Sequence, residues 1–141
     1  MSRASSAATQ AVSQALKRVE SLGTALDRSR SAPDGLDAER HAIRRELQEI
    51  DEALVGNRAR GTVEDDPTMT IARRVGVAQF GTAWSTYGPT PTHRRSLEIA
   101  EQELAKVRER LNVVLEQRLP AFEKKLEQAG APWTPGRPPL P

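Results

Sequence analysis

The chain has 141 residues, 37% of them hydrophobic, a size that allows one domain with a modest, elongated core. Charged residues make up 28%, yet the formal charge is only +2; the pI near 9.4 overstates the basicity, because two histidines and no cysteine leave little to titrate between the carboxylates and the lysines. The lack of cysteine excludes disulfides and thiolate metal sites, and five aromatic residues leave the core to Leu, Val, Ile and Ala, a composition that favours helices.

The opening "MSRASSAATQAVSQAL" lacks the apolar run of a secretory signal, no stretch is long and apolar enough for a transmembrane segment, and the compartment stays open. Within it the first heptad-like pattern begins. Val12, Ala15, Val19, Leu22 and Leu26 alternate steps of three and four, which predicts helix one over about 5–30. "SAPDGLDAER" interrupts it, since Pro33 cannot continue a helix and Asp34 is placed to cap the next. Leu36, Ile43, Leu47, Ile50 and Leu54 then predict helix two over about 35–55, closed at Gly56-Asn57, with Arg40 where the spacing expects an apolar group.

Residues 57–67 read as a polar loop that ends at Asp66, with Pro67 in the first helical position. A shorter helix three, about 68–84, carries Ile71, Val75, Ala78 and Thr82 on one side and Val77, Phe80 and Trp84 on another, a pattern of burial on two faces. "STYGPTPT" stops it and starts helix four, about 91–129, with Thr90 as cap and Pro91 in the first position. Leu97, Ala100, Leu104, Val107, Leu111 and Val114 keep the alternation; the seam then shifts by one residue to Leu115, Leu119, Phe122 and Leu126, and Pro120 predicts a kink there. Gly130 and Pro132 end the helix, and residues 131–141 form a proline-rich extended tail.

The fold expected is all-α: an elongated antiparallel helical bundle of three long helices and one shorter one, in residues 1–130. Helix four would be roughly 58 Å long against roughly 32 Å for helix two, at about 1.5 Å per residue. Its excess must be covered by helix three, by helix one, by the tail, or by another surface, which makes a homo-oligomer one expected assembly.

Charge varies along the chain without a dominating basic block. Residues 34–57 hold three Lys or Arg against seven Asp or Glu, and residues 97–129 hold six against seven. The pairs Arg44-Arg45, Arg73-Arg74 and Arg94-Arg95 could follow phosphates, but acidic neighbours such as Glu46, Glu49, Glu98 and Glu101 make them solvated helix surface, which argues against nucleic acid as a partner. His41 and His93 have no ligand spacing, and Glu64, Asp65 and Asp66 lack the pattern of a calcium loop. With no nucleophile elbow and no glycine-rich phosphate loop, no catalytic residue, cofactor or metal is expected. Phe80, Trp84 and Tyr87 offer a platform for carbohydrate or peptide, or else plug the gap between helix three and the start of helix four; the plug is favoured, since large rings contribute heavily to small cores.

The segments Val75-Gly76, Trp84-Ser85, Pro89-Thr90 and the terminal "AGAPWTPGR", Ala129 to Arg137, stand in an order that resembles the C-terminal helical region of exported bacterial proteins with sortilin-type, BNR-repeat β-propellers, often labelled glycosyl hydrolase-like. The likeness spans about 65–141, and 10–57 only as generic paired helices. No S-x-D-x-G-x-T-W box is present, so none of the propeller's residues carries over. The resemblance implies a non-catalytic helical structural or interaction module, with the preceding β-domains as partner and with Phe80, Trp84, Tyr87, Trp133 and Arg137 as interaction residues. Trp133, held in an extended proline-rich tail, would anchor that tail on the bundle or on the neighbouring domain. A fragment of a glycosyl hydrolase-like enzyme and a small basic coiled-coil protein that binds nucleic acid or envelope polymers are the alternatives.

Overall fold

The computed structural model describes residues 1–29, 33–57, 69–84, 88–132 and 134. Among them all regular structure is helical, and the fold is an all-α bundle. Helix α1 is Ser2–Asp27, α2 Leu36–Val55, α3 Ile71–Ala83 and α4 Pro91–Val113; a π-helical turn, Val114–Arg118, joins α4 to α5, Leu119–Gln128.

Helix α1 starts and stops about three residues before the 5–30 expected. Small residues explain the early start: Ser5 and Ala8 are buried and extend the seam of Val12, Ala15, Val19, Leu22 and Leu26 toward the N-terminus in unbroken steps of three and four. Helix α2 buries Leu36, Ile43, Leu47, Ile50 and Leu54. Its start is corrected too: Asp34 makes no cap, and Gly35, at φ 94°, occupies the N-cap position. Gly56, at φ 88° and ψ 171°, takes a positive-φ conformation open to glycine and closes the helix, its N–H bonded to the Glu52 carbonyl. Arg40, out of place in an apolar stripe, lies over the bare backbone of Gly23 in α1, where an added Cβ would stand 3.1 Å from its Nη1. Its guanidinium donates to Asp37 Oδ1 from Nε at 3.1 Å and from Nη2 at 2.8 Å. A glycine on one helix thus makes room for a long stem on the other.

Helix α3 begins at Ile71, three residues after the expected 68, because the Thr70 hydroxyl caps it by accepting from the Arg73 amide at 3.2 Å. Pro67, expected in the first turn, lies outside the described residues. At the start of α4 the Thr90 hydroxyl accepts from the His93 amide at 3.4 Å, and the Thr90 amide donates to His93 Nδ1 at 3.3 Å. This is a capping box with histidine in the place usually held by Glu or Gln, and Pro91 fills the first position.

The single kinked helix expected over 91–129 is corrected to two α-helices around a π turn. The Leu119 amide reaches back five residues to the Val114 carbonyl, so one residue more than in an α-helical turn is accommodated. The seam accordingly runs Leu111, Val114, Leu119, Phe122 and Leu126, all buried, while Leu115 is only partly covered. The one-residue shift in the apolar pattern is this extra residue. Pro120 then stands in the first turn of α5, the part of a helix that tolerates proline best. At the far end Gly130, at φ 69°, completes a Schellman motif: Ala131 N–H bonds the Leu126 carbonyl at 3.0 Å and Gly130 N–H the Glu127 carbonyl at 2.9 Å.

Ion pairs fix the register. Glu39–Lys125 at 2.7 Å, Glu46–Arg118 and Glu49–Arg110 at 2.9 Å set the acidic α2 antiparallel to the rod formed by α4, the π turn and α5. Arg18 grips Glu123 with two bonds, Nε to Oε1 at 2.6 Å and Nη2 to Oε2 at 2.7 Å, and Ser29 Oγ donates to the Ala129 carbonyl at 3.1 Å, so α1 runs parallel to the same rod. The α1–α2 hairpin therefore covers the C-terminal part of the rod. Helix α3 covers the N-terminal part, antiparallel to α4, with Arg74 Nε 3.2 Å from Glu103 Oε2. The excess length of helix four is covered by helix three.

Candidate functional site

Helix α3 turns Ile71, Val75 and Ala78 inward, and all three are buried. At 100° per residue the opposite side of the helix carries Val77, Phe80 and Trp84, spaced three and four apart. These are 40%, 68% and 86% exposed. The burial on two faces expected for helix three is therefore corrected: α3 is packed on one side and presents a second apolar stripe outward. Nor do Phe80 and Trp84 plug the space between α3 and α4.

That space is closed by other means. A Cβ on Gly81 would overlap the His93 ring, so the imidazole of the capping box lies against the α3 backbone. Ala78 from α3 and Ser96 and Ala100 from α4 are buried, and small side chains let the two helices approach closely. With the gap filled by a histidine on a glycine, the two large rings have no place in it. The signal was in the sequence as a Thr90-x-x-His93 spacing, but it reads as a capping box only once the ring nitrogen is seen to accept.

Of the other expected interaction residues, Tyr87, Trp133 and Arg137 lie outside the described residues. Thr134, in the tail, is buried, and Ala131 packs against the core, so these two residues stay with the bundle.

No protein-family model, curated protein or solved structure matches the chain.

The remaining surface carries few features of a chemical site. Among the described residues no three His, Cys, Asp or Glu side chains are grouped to hold a metal ion, and no helix is long and apolar enough to cross a membrane. A hollow of about 670 Å³ lies between the start of α2 and the end of α5; of its charged lining residues Glu39 and Lys125 are paired with each other, and Asp34 is exposed beside them. A second, an open surface groove of about 480 Å³ beside Ala78, Gln79, Thr82, Ala83 and Leu97, presents no ionisable group. Two of the three arginine pairs place a member on a carboxylate, Arg74 on Glu103 and Arg95 on Glu98. The Arg40 guanidinium bonded to Asp37 holds that carboxyl below the usual carboxylate range.

Proposed function

We propose that the chain is a non-catalytic helical interaction module that meets another protein surface through the outward face of α3. The observation that carries this reading is the exposure of Phe80 and Trp84 on the side of α3 opposite its core face. Aromatic side chains are enriched in the buried centres of protein interfaces, and a line of exposed apolar groups on a small domain marks an interaction site. The resemblance of residues 65–141 to the helical end of exported propeller proteins supplies a partner class, a propeller-type β-domain. The face also lies away from the Glu39–Lys125, Glu46–Arg118 and Glu49–Arg110 pairs that set α2 on the rod, so changing it leaves them intact.

The test separates an interaction face from a structural one. In Phe80→Ser/Trp84→Ser the midpoint of thermal unfolding should stay within a few degrees of the parent, since exposed substitutions away from special features change stability by about 0.5 kcal/mol or less. Binding to a purified propeller domain from a protein with the same "AGAPWTPGR" ending should be lost in the same variant. A large fall in the midpoint would mean that the rings hold the bundle together and would end the reading.

A further inference from the structure

The half-buried ring of His93 is engaged along both of its edges. Its Nδ1 accepts from the Thr90 amide at 3.3 Å, and the opposite edge, Nε2 with Cε1 and Cδ2, lies on the bare backbone of Gly81 in α3. An imidazole nitrogen accepts a hydrogen bond only when it carries no proton, so this ring is neutral, with its hydrogen on Nε2. A second proton would go to Nδ1 and set one N–H donor against another. The capping box would lose the bond that holds the ring over Thr90, and a positive charge would stand among the amides that open α4, the positive end of its dipole.

No carboxylate faces the ring to balance that charge. Helix α3 brings Arg73 and Arg74 and no acidic residue, and Arg74 is bonded to Glu103. On α4 the neighbours are Arg94 and Arg95, the residues one turn on are Ser96 and Leu97, and the carboxylate within two turns, Glu98, is bonded to Arg95. Helix α1, tied to this region by Gln79 donating to Ser2, has Arg3 in its first turn and no acidic residue before Glu20. The connection from Ser85 to Thr90 contains no Asp, Glu, Lys, Arg or His.

We infer that His93 is an acid-released latch between α3 and α4: the neutral ring holds the end of α3 against the start of α4, and the imidazolium lets it go. The side chains buried at this junction, Ala78, Ser96 and Ala100, are small, so a large share of the contact there falls to the ring. Release is local. Histidine is the side chain whose charge ordinarily changes between about pH 5 and 8, whereas the pairs that clasp α1 and α2 to the rod are Arg or Lys on Glu. His41, the other histidine, lies on Asp37 and Arg40 near the start of α2, beside the end of α5. A free imidazole is about one-tenth protonated at about pH 7.5 and about nine-tenths at about pH 5.5, so a docked form that takes only the neutral ring is disfavoured by up to about tenfold over that interval. The latch does not depend on what settles on the outward face of α3.

Deuterium exchange on the full chain reads the release directly. Protection factors of the amides from Phe80 to Ala83 should fall about three- to tenfold between about pH 7.5 and about pH 5.5, while those of α2 and α5 stay level. His93→Gln keeps a side chain that reaches the Thr90 amide and does not titrate, and in it the α3 values should not change with pH. A lower starting value in this variant, whose side chain covers less of Gly81, leaves the comparison intact, because only the change with pH is read. A fall of the same size in parent and variant, a fall shared by α2 and α5, or α3 protection in the parent that does not fall would each overturn the latch. One measurement needs no variant: at about pH 7.5 the nitrogen-15 spectrum of the parent should show His93 Nδ1 bare and Nε2 protonated, and the reverse tautomer would overturn the proposal.

Discussion

Deleting Glu116 tests the account of the π turn. Glu116 is exposed and sits within Val114–Arg118, the turn that holds one residue too many for an α-helix. Removing it leaves Leu111, Val114, Leu119, Phe122 and Leu126 separated by three, four, three and four positions, the spacing of a continuous α-helical seam. One turn remains one turn, so the downstream apolar residues and the pairs of Arg118 and Lys125 with α2 keep their places. Pro120, however, then falls in the interior of an uninterrupted helix, where it removes a hydrogen bond and strains the preceding turn at a cost of about 3 kcal/mol. In the parent it stands in the first turn of α5, and Pro120→Ala should change stability there by less than about 1 kcal/mol. In the chain without Glu116 the same substitution should recover about 3 kcal/mol. Guanidinium denaturation followed by circular dichroism gives the four stabilities, and the coupling between the two changes should be about 2 kcal/mol or more. Additive effects would refute the claim that the π turn houses the proline. Failure of the doubly altered chain to fold would refute it differently, since Leu119, Phe122 and Leu126 would then have rotated out of the core.

Gly81→Ala drives a methyl group into the His93 ring and disturbs the capping box, and should cost about 1–3 kcal/mol in urea unfolding. Gly76→Ala in the same helix meets open space and should instead gain about 0.5–1 kcal/mol. Phe122→Ala removes a ring that is 1% exposed and should cost about 3–5 kcal/mol by the same measurement. Asp37, whose folded pKa is depressed by Arg40, contributes stability that is fully present above its ordinary value of 3.8 and is lost as pH falls through the lower folded value. Carboxyl NMR should place its titration below the ordinary value of 3.8, and Arg40→Met should return it toward that value.

The helices were legible because a long rod signals itself through repetition. Five or six aliphatic residues in steps of three and four, as in Val12 to Leu26 and Leu97 to Val114, leave little choice of face. The ends were harder to place. At the start of α1 the seam passes to Ser5 and Ala8, whose small side chains weigh little in a hydrophobic pattern although both are buried. At α2 a glycine with positive φ displaced the aspartate beside it as cap. The irregularity near Pro120 was visible as a one-residue shift, but a kink and a π turn produce the same shift in one dimension. They differ only in whether Val114 or Leu115 lies at the core. The outward rings on α3 were misread for a related reason. Hydrophobic spacing says that residues share a face, not whether anything lies opposite, and the space that Phe80 and Trp84 were expected to fill had already been closed by His93 on Gly81.

The division of the rod between two coverings has a dynamic consequence. Its C-terminal part is clasped by a hairpin and by ion pairs from both α1 and α2, whereas α3 holds to α4 through Ile71, Val75, Ala78 and the Arg74–Glu103 pair and to the start of α1 through Gln79 Nε2, which donates to Ser2 Oγ at 2.5 Å. Such an arrangement opens in two stages, and amides of α3 should exchange with deuterium well before those of α2 and α5. Anything that settles on Phe80 and Trp84 would then slow exchange in the looser storey first, turning the least secure element of the molecule into its reporter of occupancy.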